Sequence, residues 1–93
     1  MRSQTTRVIT GRVNSDGTIA LPGPYTARRT ASGDYTVTTT DRLLGATVTE
    51  AGTSAYMANA SNFIGNTFRV VTQTASTGTG TDRPFSFVAV VAA

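Results

Sequence analysis

Apolar and polar residues alternate along most of this chain with a period of two, the spacing of strands with one face buried. Val8 and Val13 flank Gly11, which predicts a strand over Arg7 to Val13 and a bulge or close approach at the glycine. Asn14-Ser15-Asp16-Gly17 follows. Asp-Gly readily takes the positive φ of a tight turn, so Thr18 to Leu21 is a short return strand. Pro22-Gly23-Pro24 then breaks regular structure. Tyr25 to Thr30 alternates, with Tyr25, Ala27 and Arg29 on one face and Thr26, Arg28 and Thr30 on the other. Tyr35 to Thr40 places Tyr35 and Val37 together, and Ser32-Gly33-Asp34 joins the two runs as a hairpin.

The second half is less regular. Asp41 to Gly45 reads as a turn or short helical turn, with Leu43 and Leu44 as a core plug, and Ala46 to Glu50 as a strand. Between Ala51 and Asn66, small polar residues separate Tyr56, Met57, Phe63 and Ile64; the expectation is a short strand, then a loop near Asn59 to Asn62. Thr67 to Thr74 is a strand with Phe68, Val70 and Thr72 on one face. Ala75 to Arg83 is a Gly/Thr/Ser-rich loop, and Pro84 opens a last strand, Phe85 to Val91. Its alternate set Phe85, Phe87, Ala89 and Val91 is apolar, and so are Val88 and Val90 opposite. A strand apolar on both faces needs a cover on both. In a chain of 93 residues the second cover is expected to be a neighbouring subunit, with Val88 and Val90 at the interface.

Short strands at regular turn spacing predict an all-β fold, a small antiparallel β-sandwich of jelly-roll-like type. Residues 1–10 are read as a short N-terminal arm leading into the first strand, and 11–93 as a single domain. Scarce Glu and Leu argue against long helices. No apolar run is long enough to span a bilayer, and Met1 to Thr10 lacks the apolar region of a secretory signal.

Composition narrows the chemistry. The chain has no Cys and no His, which removes thiolate and imidazole metal ligands and the commonest general base. Neither an enzyme nor a cofactor is expected. Of five carboxylates, Asp16 and Asp34 sit in turns, where an Asx hydrogen bond explains them. Asn14, Asp16 and Asp82 could supply oxygens to calcium, but the EF-hand pattern is absent and the turn explanation is preferred. All eight basic residues are Arg and the net charge is +3, which suits bidentate contact with a partner's carboxylates or phosphates. Arg2 and Arg7 in the arm and the Arg28-Arg29 pair are the candidate partner-binding residues. The aromatic residues fall mostly on apolar faces, so base stacking is not expected, although a basic β domain leaves nucleic acid as an alternative. Tyr25 and Tyr56 are the candidates for a glycan platform, against a core role for each.

Two segments carry a resemblance: Gly11-Arg12-Val13-Asn14-Ser15-Asp16-Gly17-Thr18-Ile19, and Thr30-Ala31-Ser32-Gly33-Asp34-Tyr35-Thr36-Val37-Thr38. Phe68-Arg69-Val70-Val71-Thr72, a Gly/Thr loop and Asp82-Arg83-Pro84-Phe85-Ser86-Phe87-Val88 follow in order. Together they resemble a β-sandwich module of tailed-bacteriophage virion proteins. The resemblance implies a structural virion component and a homotrimer, either decorating the capsid or at a tail-fibre tip. Only a short arm precedes the module, which favours a stand-alone capsid decoration (cement) protein on the outer shell, bound to the major capsid protein. The alternative is a tail or fibre component that binds a host receptor or glycan. No membrane association is expected.

Overall fold

A computed structural model describes residues 5–50 and 55–92 of the chain. They form eight strands: β1 (Thr6–Val13), β2 (Ile19–Leu21), β3 (Tyr25–Ala31), β4 (Asp34–Thr39), β5 (Leu43–Glu50), β6 (Tyr56–Ile64), β7 (Thr67–Thr74) and β8 (Phe85–Ala92). Two four-stranded antiparallel sheets pack face to face, in the orders β2-β1-β8-β5 and β3-β4-β7-β6. No helix occurs among the described residues. Hairpins β1–β2, β3–β4 and β6–β7 pair neighbours in sequence, while β1 also pairs with the last strand, β8.

The alternating sets meet between the sheets. Val13, Phe85, Phe87, Ala89 and Val91 come from the first sheet; Tyr35, Val37, Phe68 and Val70 come from the second. Each fully buried large side chain of this kind stabilises the fold by about 1.5–3 kcal/mol. Phe87 meets Tyr25 edge-on, ring centroids 4.9 Å apart, and Phe68 at 5.5 Å, tying the sheets together. The two buried threonines are satisfied: Thr39 donates to the Asp41 carbonyl at 2.7 Å and Thr72 to the Thr81 carbonyl at 2.6 Å.

Gly11 makes a close approach, not a bulge. Pairing of β1 with β8 runs unbroken from Thr6 to Val13, and a Cβ on Gly11 would lie 2.5 Å from Phe87 Cζ and 2.7 Å from Tyr25 Cζ. Two aromatic rings occupy the space of the missing side chain. The irregularity lies one residue further on, between Arg12 and Val13 against β2.

Two expected elements differ. Leu43 and Leu44 open β5 and form no helical turn. Leu43 is buried and Leu44 is exposed, and a register shift between Leu43 and Gly45 absorbs the extra residue. Asn59 to Asn62 is strand, not loop. Asn59 and Ser61 pair with Val71 and Arg69, and the register shifts between Ser61 and Ile64, where Asn62 takes φ 53°. β6 is an edge strand with a solvated outer face, so small polar residues suit it.

Candidate functional site

Arginine and carboxylate side chains are paired across the fold. Arg7 bonds Asp41, Arg29 Nε bonds Asp82 at 2.8 Å, Arg69 grips Asp34 with two bonds of 2.8 Å, and Arg83 Nε bonds Glu50 at 2.9 Å. The Arg69 guanidinium holds the Asp34 carboxyl below its ordinary range. Asp82 is lowered likewise, by Arg29 and by the Gly33 N–H, which donates at 2.7 Å. Asp82 thereby fastens the 75–84 loop to the β3–β4 turn. Asp34 is therefore the partner of an arginine and opens β4, and no Asx turn is involved. Asp16 does make that turn: Thr18 N–H donates to it at 3.0 Å and the Thr18 hydroxyl at 2.6 Å, and these bonds lower its pKa. Asp82 and Asp16 thus have separate partners, and no cluster of three acidic side chains forms among the described residues.

Of the expected partner-binding residues, Arg2 lies outside the described residues. Arg7 and Arg29 are engaged in the ion pairs above, and Arg28 has no ion pair among the described residues. Arg12 and Arg42, not singled out by the sequence, also have none among the described residues. Four of the five acidic side chains are paired with arginines, so among the described residues Arg12, Arg28 and Arg42 carry charge no ion pair offsets, as does Asp16 with the opposite sign. The glycan-platform candidates are both occupied. Tyr25 is buried, its hydroxyl donating to the Leu21 carbonyl and accepting the Arg12 N–H at 3.2 Å. The Arg83 guanidinium covers the Tyr56 ring at 4.2 Å.

The outer face of the β2-β1-β8-β5 sheet is the unusual surface. Cross-strand register arranges it in rows. Leu21, Arg12, Ser86 and Thr49 form the first, Thr10, Val88 and Thr47 the second, and Val8, Val90 and Gly45 the third. Polarity grades along the sheet, from a row of one cation, two hydroxyls and the exposed Leu21 to bare valines. Val8 is 63% exposed, Val88 47% and Val90 36%, although β1 and β8 are the central strands. A shallow groove of about 470 Å³ crosses the upper rows, between Arg12, Leu21, Thr47, Thr49, Ser86 and Val88. A second apolar exposure lies at the β6–β7 turn, where Ile64 is 73% and Phe63 48% exposed. The Leu43 N–H donates to the Gly65 carbonyl at 3.0 Å, which brings exposed Leu44 to the same end of the sandwich.

Geometry thus defines a two-sheet antiparallel β-sandwich with internally compensated carboxylates and one partly apolar, cation-bearing sheet face. Among known proteins no family model, no curated sequence and no solved structure matches this chain.

Proposed function

We propose that this chain is a non-catalytic docking module that works as a structural component of a tailed-phage particle, a capsid decoration protein on the outer shell. One observation supports docking above all: three partly exposed valines lie in the middle of a sheet's outer face, where a solvated face normally carries polar residues. Excess cationic charge complements an acidic shell exterior. The phage assignment rests on the sequence resemblance, which also implies the homotrimer. The sequence points to Val88 and Val90 for the contact between copies; with that sheet face given to the shell, copies would instead meet through the exposed Phe63 and Ile64 at the β6–β7 tip. Bridging several shell subunits raises the free energy of separating them. Adding the chain to shells that lack it tests this: saturable binding and a raised shell disruption temperature are expected, and failure to bind would refute it.

A further inference from the structure

We propose that the outer face of the β2-β1-β8-β5 sheet receives an extended strand of a different protein. That strand carries a carboxylate at one position and apolar side chains two and four positions along. The inference rests on the docking role above and specifies its chemistry.

Rows on one sheet face recur every second residue, about 6.6–6.8 Å apart, and a strand laid along β8 has the same repeat. A carboxylate over the first row meets Arg12, whose fork suits bidentate binding, with Ser86 and Thr49 hydroxyls beside it. The next two outward positions then fall over Val88 and over Val90 with Val8. Polar and apolar demands are thus met by one strand in one register.

A second copy of this chain does not fit. Asp34, Asp41, Glu50 and Asp82 are each paired with an arginine, and Asp16 sits in a turn bonded to Thr18. Face-to-face pairing of two copies would bring in cations and no free strand carboxylate. The occupant is therefore an acidic strand of another protein.

Substitution at Arg12 spares the fold. Its side chain is exposed and makes no bond to a described residue; only its backbone engages Tyr25. The probe is the blocked peptide acetyl-Thr-Glu-Thr-Val-Thr-Val-Thr-amide, titrated into isotopically labelled protein while amide NMR shifts are followed. Saturable shifts at Arg12, Thr47, Thr49, Ser86 and Val88 are expected. Binding should weaken at least fivefold for Arg12→Gln, and equally for the peptide with Gln in place of Glu. Arg12→Glu should prefer the peptide with Lys in that place. The inference is overturned by shifts that stay linear to the solubility limit, by shifts centred on Arg28 or the β6–β7 turn, or by affinity indifferent to Arg12. Because the probe needs no particle, these outcomes stand apart from whether the chain belongs to a virion.

Discussion

Gly11→Ala is the sharpest test of how this sandwich is packed. An alanine methyl would enter at 2.5 Å from Phe87 Cζ and 2.7 Å from Tyr25 Cζ, about 1 Å inside ordinary contact. Neither ring can step aside freely. Phe87 is held edge-on between Tyr25 and Phe68, and Tyr25 is anchored through its hydroxyl to Leu21 and Arg12. Overpacking of this kind costs about 1–3 kcal/mol. Loosening the Tyr25 hydroxyl contributes about 1 kcal/mol more. Reduced freedom of the unfolded chain returns roughly 0.4–1 kcal/mol. The net expectation is a loss of about 1–3.5 kcal/mol, or on the order of 5–25 °C in melting temperature for a domain of this size. Urea unfolding of the wild type and of Gly11→Ala measures it. Phe87→Leu in the Gly11→Ala background should cost less than Phe87→Leu alone, because the methyl then fills space the ring vacated. Stability of Gly11→Ala within about 0.5 kcal/mol of wild type would refute the packing argument.

Other expectations follow from the same contacts. Gly33 takes φ +66°, and a Cβ there would lie 2.6 Å from the Thr81 N and closer still to the Thr72 carbonyl. Gly33→Ala should therefore destabilise by at least about 2 kcal/mol and speed hydrogen exchange at Thr72 and Thr81. Asp34 and Asp82 have pKa values below the ordinary 3.8. Folding then gains stability from them above that value and loses it as pH falls through their lower folded values. Melting temperature should hold between about pH 7 and 5 and fall below about pH 4, less steeply in Asp82→Asn; an unchanged acid profile in that variant would contradict its role. Val88→Thr should leave thermal stability within about 0.5 kcal/mol of wild type yet weaken docking, since the side chain faces solvent. Ile64→Asp should abolish self-association in light scattering without unfolding the chain; an unaltered mass would move the subunit contact elsewhere.

Local patterns in the sequence were sufficient where pairing is local. Asp-Gly and Ser-Gly-Asp marked the β1–β2 and β3–β4 turns, and the alternation of Phe68, Val70 and Thr72 and of Phe85, Phe87, Ala89 and Val91 marked faces that are buried. Leu43-Leu44 misled because adjacent leucines break a period of two, and only the bulge at Leu44, between the paired Leu43 and Gly45, reconciles them with a strand. Asn59 to Asn62 misled because an edge strand can be polar on one face and small on the other. The ion pairs join residues 33 to 53 positions apart, so no local pattern could show that Arg7 and Arg29 are occupied while Arg12 is free. Val88 and Val90 were visible as a second apolar face, but their continuity with Val8 and Arg12 depends on the β1–β8 register.

The most direct measurement is quantitative mass spectrometry of purified particles from the cells that make this chain, counting it against the major shell protein. Decoration of the capsid predicts a copy number comparable to that of the shell protein. A handful of copies per particle, or none, would contradict it.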